Sequence, residues 1–376
     1  MSLLKLLQNN VKHVKKCHNE KQIILISHRK LSFVPSVYDT EDPAPKFFSP
    51  NVQTLLKRLT RPDFAKVFRK RTTADIPHLK TPIYKFLTEE DLQIERAKAN
   101  KKAKKLLQMP PVVKIQGHIS EVLSKDPALQ GYDSATYLFT DITFGVRNEE
   151  RFIVQRNPDG TLCKSDHDTR KKLNQIYFPL HGRKIREPLL FSDMERFNSL
   201  LEKNKYEYLL DRACIQYEPD EQKYQELTSL TYQHVDTSSQ FNLLRSTRHF
   251  GPLAFYLTWH NSMDNLVLET VQGGAIREAA LLVALRHELR ADVEHGAENQ
   301  ALVAEIMKTP IQLSKPEHLT EEDITLDTKC VDSIEKYIAK NSTMKSQQSL
   351  ALQGFREDYQ QLIDLSRGLR KAHGAS

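Results

Sequence analysis

Cysteine is scarce and scattered in this 376-residue chain: Cys17, Cys163, Cys214 and Cys330 lie far apart, and none belongs to a Cys-x-x-Cys pair. That argues against a disulfide framework of the secreted type and against a cysteine-based zinc knuckle. Long apolar runs are missing too. The longest near the start is Ile23-Ile24-Leu25-Ile26, far short of the ~18 residues that a membrane span needs.

Glycine is limited to 12 residues, and Gly273-Gly274 is followed by Ala-Ile-Arg, so neither a phosphate loop nor a dinucleotide fingerprint is present. No serine occupies a Gly-x-Ser-x-Gly elbow, and no cysteine has the flanks of a nucleophile motif. His287-Glu288 invites comparison with the zinc-protease motif, but the next histidine is His295, more than two helical turns on, so the two imidazoles do not grip one ion. His13, Cys17 and His18 meet on one helix face with only His28 nearby, which reads as a surface cluster. The pairs Glu149-Glu150 and Glu321-Glu322 adjoin strand or helix starts, where acids are ordinary. These absences point away from an enzyme: no catalytic residue, metal, cofactor or small-molecule substrate is expected.

What is present is enough apolar material for real cores, 39% of residues, and a basic balance, net charge +7 with an isoelectric point near 9.0. The excess is local. Residues 1–110 carry 23 Lys and Arg against 10 Asp and Glu, while the remainder is acidic. A polyanionic partner for the first third is one reading and a solvated lysine-rich segment the other. Residues 1–37 hold seven Lys and Arg and one acid, Glu20, with Leu3, Leu7, Val11 and Val14 at helical spacing beside Lys5, Lys12 and Lys15. This basic amphipathic helix has the chemistry of a mitochondrial targeting segment, although it is rich in lysine rather than arginine.

The pattern predicts an α+β protein, predominantly helical, with a small mixed sheet and hairpin in the middle and a helical C-terminal half. Five segments are expected: a leader and proline-rich linker over 1–50, a basic helical arm over 51–111, a small mixed domain over 112–191, a helical domain over 192–310 and a C-terminal helical hairpin over 311–376. Pro35, Pro43, Pro45 and Pro50 mark the linker. In the arm, Leu55, Leu56 and Leu59 suggest one helix, and Phe64, Val67 and Phe68 another beside Lys66, Arg69, Lys70 and Arg71. Thr88 and Asp91 form a capping box for a helix that ends in Lys101, Lys102, Lys104 and Lys105 and stops at Met109-Pro110-Pro111.

Tyr137, Phe139 and Ile142, then Phe152, Ile153 and Val154, read as strands, and Asn157-Pro158-Asp159-Gly160 as a turn that returns through Thr161-Leu162-Cys163. Ser165 with Asp168, and Ser192 with Glu195, read as helix caps, and Pro219 as a helix start. Residues 253–259 and 276–289 are apolar enough for core helices, with Gly273-Gly274 as the break. Two amphipathic helices close the chain, one on Val331, Ile334 and Ile338, the other on Leu352, Phe355, Tyr359, Leu362 and Leu369. A hairpin or a partner helix would bury the second seam equally well.

Basic clusters beside aromatics supply the candidate sites. Tyr177-Phe178-Pro179 precedes His181, Gly182, Arg183, Lys184 and Arg186, and Arg245, Arg248 and His249 flank Phe250-Gly251. Arginine forks grip phosphate, aromatic faces accept an unstacked base and glycine permits close approach. The same arginines could equally pair neighbouring carboxylates. The four lysines at 101, 102, 104 and 105 are open to the same two readings, phosphate contact or a solvated helix end.

A run of short segments in consistent order and spacing carries a resemblance. It comprises Pro82-Ile83-Tyr84-Lys85, Met109-Pro110-Pro111-Val112, Phe139-Thr140-Asp141-Ile142, Glu150-Arg151-Phe152-Ile153-Val154, Gly160-Thr161-Leu162, Tyr177-Phe178-Pro179, Gly182-Arg183-Lys184, Glu218-Pro219-Asp220, the stretch from Leu243 through Arg248, and Phe250-Gly251. Over about residues 50–255 the chain resembles the animal family of the mitochondrial small-subunit ribosomal protein numbered twenty-two. The resemblance implies a mitochondria-specific building block of the small-subunit body in the matrix, contacting ribosomal RNA and neighbouring ribosomal proteins. It supplies no catalytic residue. The alternative is a mitochondrial RNA-binding or assembly scaffold protein acting off the mature ribosome.

Overall fold

The computed structural model describes residues 41–60, 85–106, 114–119, 121–290, 296–309 and 319–372. The basic leader with its histidine cluster, the basic stretch around residues 66–71 and the Met109-Pro110-Pro111 stop lie outside them. Two of the prolines read as linker open helices instead: Pro43 precedes α1 (Ala44–Phe47), and Pro50 is the first residue of α2 (Pro50–Leu59). Proline at that position sacrifices no bond, because its N–H would have had no partner. Ser49 caps α2 by accepting from Val52 N at 3.3 Å. Val52, Leu55, Leu56 and Leu59 are buried, and Phe47 meets Phe255 edge to face at 4.9 Å. Each such side chain contributes about 1.5–3 kcal/mol, so tertiary burial holds a helix this short. In α3 (Glu89–Leu106) Thr88 caps the helix, its Oγ1 accepting from Asp91 N at 3.3 Å and donating to the Asp91 carboxylate at 2.9 Å, which is the side-chain half of the expected capping box.

Four strands form one sheet among the described residues: β1 (Val122–Lys125), β2 (Tyr137–Thr140), β3 (Ile153–Arg156) and β4 (Thr161–Lys164), in the order β1-β4-β3-β2. Every pairing is antiparallel, so the sheet is not mixed. The four-residue turn over 157–160 requires this of β3 and β4, because a parallel neighbour needs a long crossover. The strand at Val122 has neither alternation nor burial to announce it. The turn at Asn157 closes as expected, with Asn157 N donating to Thr161 O at 2.9 Å and Gly160 at φ 81°. Ser165 does not cap the following helix. Its N–H extends the ladder by donating to Ile153 O at 3.2 Å, and Asp166 takes the N-cap position of α4 (His167–Tyr177).

A helical region follows: α5 (Leu189–Ser192), α6 (Met194–Glu202), α7 (Tyr206–Gln216) and α8 (Gln222–Ser238). The cap of α6 is Asp193 rather than Ser192, since its carboxylate accepts from Glu195 N at 3.0 Å while Ser192 still belongs to α5. Helix α8 begins at Gln222, three residues past Pro219, with Glu221 at its N-cap. The chain then runs through α9 (Phe250–Trp259), α10 (Asp264–Gln272), α11 (Ile276–Arg290), α12 (Gly296–Lys308), α13 (Glu321–Asn341) and α14 (Lys345–Ala372).

All ten residues of α9 are buried, as a helix apolar on every side requires. Helix α11 packs on α2, α9, α10, α12 and α13, and so occupies the centre of the core. Gly274, at φ 70°, makes the break before it. Helix α10, absent from the sequence reading, buries Leu266, Val267 and Val271. Helix α14 packs on α10 and α13 through Leu352, Phe355 and Tyr359. Polar bonds fix these helices in place: Arg277 donates to Asp327 at 2.6 Å and to Asp323 at 2.9 Å, and Tyr359 OH donates to Asp327 at 2.6 Å. At the start of α10, the Asp264 carboxylate accepts from Tyr337 OH at 2.7 Å, and from Thr343 N at 2.9 Å and Oγ1 at 2.5 Å.

Candidate nucleic-acid interface

The loop over residues 178–188 is built by two glutamines. Gln175, at the end of α4, donates to the carbonyls of Leu180 (3.2 Å) and Arg183 (3.1 Å) and accepts from Leu180 N at 3.1 Å. Gln216, at the end of α7, accepts from Lys184 N at 3.0 Å and donates to Lys184 O at 2.9 Å. Gly182 provides the turn at φ 82°, with Ile215 close beneath it. Both glutamines are buried, which makes the loop a rigid presenter of whatever faces out.

The three cations of that loop part company here. Arg183 lies against the fold, its Nε donating to Ile215 O at 3.1 Å and its Nη2 to Glu218 at 2.6 Å. Lys184 and Arg186 are exposed, as are His181 and Tyr177 beside them. Among the described residues no carboxylate lies in ion-pair range of Lys184 or Arg186. Lys172, one turn before Gln175 on α4, is exposed as well, and sequence reasoning passed over it because it sits in an ordinary polar helix.

The second cluster turns inward. Arg245 is buried with only 5% of its side chain exposed, donating to Glu278 and Glu269 at 2.6 Å each and lying 4.9 Å over the Phe250 ring. Arg248 donates to Asp211 from both Nε and Nη2, and His249 meets the same carboxylate oxygen at 2.8 Å. Burial pushes the Asp211 carboxyl up, but the hydrogen bonds and charges of His249 and Arg248 outweigh it and hold the group below the usual carboxylate range. The next residue, Arg212, reaches the other way and donates to Gly182 O at 2.8 Å. Helix α7 therefore ties both segments to one support. The sequence shows the cations but not these partners, which lie 24 to 37 residues away for Arg245 and Arg248.

Lys101, Lys102, Lys104 and Lys105 fall in the closing turns of α3, and their side chains lie outside the described residues. No group of three or more His, Cys, Asp or Glu residues able to hold a metal ion occurs among the described residues. No described helix is long and apolar enough to cross a membrane.

Known proteins match the chain along this same core. The family model described as "Mitochondrial 28S ribosomal protein S22" matches residues 45–291, from α1 to the end of α11 and so past the stretch where the sequence segments were recognised. "Small ribosomal subunit protein mS22" of Mus musculus is 35% identical over 277 residues, 74% of this chain and 76% of its own length. The Bos taurus protein of the same name is 34% identical over 261 residues, 69% of this chain and 71% of its own. With a family model covering well over half of the chain and relatives at this level of identity, the chain belongs to the mitochondrial 28S ribosomal protein S22 family.

Proposed function

We propose that the chain is a structural constituent of the mitochondrial small ribosomal subunit, in the mitochondrial matrix, and supports translation there without catalysing a reaction. The observation that carries this is its membership of a family described as a mitochondrial ribosomal protein, matched over residues 45–291. Ribosomal RNA and neighbouring ribosomal proteins are the partners this reading requires. The loop held by Gln175 and Gln216 supports an RNA contact through Lys184 and Arg186, joined by Lys172: these cations face outward on a rigid support and have no carboxylate partner among the described residues. Lys101, Lys102, Lys104 and Lys105 extend the same role from the end of α3. Arg183, Arg245 and Arg248, engaged by Glu218, Glu269, Glu278 and Asp211, build the support rather than grip phosphate.

Depleting the chain tests the function. Mitochondrial small subunits should fall in abundance together with mitochondrial protein synthesis, while free large subunits persist. Normal small subunits in its absence would contradict the proposal.

A further inference from the structure

Strand β2 lies at the edge of the sheet. Its register pairs Tyr137 with Arg156, Leu138 with Gln155, Phe139 with Val154 and Thr140 with Ile153, and the bond from Asp141 N to Phe152 O fixes which pairs exchange hydrogen bonds. Alternation turns the backbone groups of Tyr137, Phe139 and Asp141 toward β3 and those of Leu138 and Thr140 outward. Among the described residues nothing pairs with these outward groups.

The side chains along this edge are apolar and open to water. Tyr137, Leu138 and Phe139 are 49%, 44% and 52% exposed, and Phe152, just before β3, is 53% exposed. Tyr137, Phe139 and Phe152 share one face, because every second residue and its cross-strand partner do. Sheet edges are ordinarily blunted by lysine, proline or a bulge. The Tyr-Leu-Phe-Thr of β2 has none of these, and its register with β3 is unbroken.

The border of this edge is acidic in a chain that is basic as a whole. Asp133 precedes β2, Asp141 follows it and Glu149 and Glu150 precede β3, four acids against Arg147, the buried Arg151 and Arg156, which pairs with Tyr137. Asp133 accepts from Tyr137 OH, and Asp141 accepts from Thr143 Oγ1 at 2.6 Å; these bonds hold both carboxyls below the usual range, so both are charged at neutral pH. Such a border repels RNA phosphate and equally a second copy of the same edge, while it attracts lysine and arginine.

We propose that β2 is a strand-addition site for an extended, lysine- or arginine-bearing segment of a neighbouring protein, which pairs with the outward backbone groups of Leu138 and Thr140 and covers Tyr137 and Phe139. The inference rests on the ribosomal reading only for the presence of such a neighbour.

The first test uses the purified full chain and two labelled ten-residue peptides, one alternating valine with lysine and one alternating valine with glutamate. The lysine peptide should bind about tenfold tighter or better and should protect the Leu138 and Thr140 amides from hydrogen exchange. Thr140→Pro, which removes an outward N–H without breaking the β2–β3 ladder, should weaken binding by about tenfold, and Thr140→Ala should not. The two variants should share one unfolding midpoint. Equal binding of the two peptides, binding indifferent to Thr140→Pro, or displacement of the lysine peptide by a single-stranded oligouridine would each overturn the proposal. In assembled small subunits, a photocrosslinking residue at Phe139 should then join a basic protein segment; a crosslink to ribosomal RNA, or none, would refute it. Failure of the chain to enter subunits would defeat the ribosomal reading and leave the peptide experiment to decide the edge.

Discussion

Lys184 and Arg183 are neighbours in sequence, yet their surroundings divide them. Arg183 is held by Ile215 O and Glu218, whereas Lys184 points its ammonium to water and uses only its backbone to bind Gln216. Replacing Lys184 and Arg186 together by alanine should leave the unfolding free energy within about 0.5 kcal/mol of the native value. It should also lower the dependence of subunit incorporation on log salt concentration by roughly one to two phosphate contacts' worth. An unchanged salt dependence would remove these residues from the RNA surface. Arg245→Ala should behave in the opposite way, costing about 3–5 kcal/mol in urea unfolding, because it leaves Glu278 buried beside an unfilled site. Full stability of that variant would show the pair to be dispensable. Both clusters were legible as basic runs beside aromatics; which of their members face water was not, because that depends on Glu218, Asp211, Glu269 and Glu278, which are remote in sequence.

At the scale of elements, local chemistry was readable wherever it was self-contained. The Thr88 side-chain cap and the Asn157 turn close within three or four residues and appear as expected. The caps at Ser165 and Ser192 failed because an adjacent aspartate, Asp166 or Asp193, competes for the same position and the winner depends on where the preceding element ends. Gly160 illustrates a constraint set from outside its turn: a Cβ there would lie 2.1 Å from the Asp126 carbonyl oxygen, in addition to the positive φ. Gly160→Ala should therefore lower stability by about 2–3 kcal/mol, as measured by thermal unfolding, and a native-like midpoint would contradict this packing.

The end of α9 carries a pH dependence. Burial, aided by the charge of Arg290, pushes the His260 imidazole down to about 4 from its usual 6.5. Below pH 6.5 the unfolded chain takes up the proton that the folded chain refuses, so stability present above that pH is lost as pH falls toward 4. Asp236 acts in the other direction: burial raises its carboxyl to about 6, and its contribution weakens as pH rises toward that value. Substituting His260→Gln separates the two, and the variant should lose less midpoint temperature than the native chain between pH 6.5 and 4.5. Parallel losses would exclude His260 as the sensitive group.

Across the whole molecule, function was legible because many short segments agree in order with one family, and the family model extends that agreement to residue 291. Helices α9 and α11, enclosed by their neighbours, lie within that matched stretch. The charge distribution gives the molecule two kinds of surface, a basic loop held by α4 and α7 and an acidic, apolar sheet edge, which the proposed contacts with RNA and with a neighbouring protein would use. The most direct test is a sucrose-gradient separation of detergent-lysed mitochondria, following the chain against small-subunit ribosomal RNA at moderate and at high salt. A structural role in the subunit requires comigration with mature small subunits at about one copy per particle, retained at high salt where buried protein contacts persist. A free or light-particle pool with little of the chain in mature subunits would contradict it.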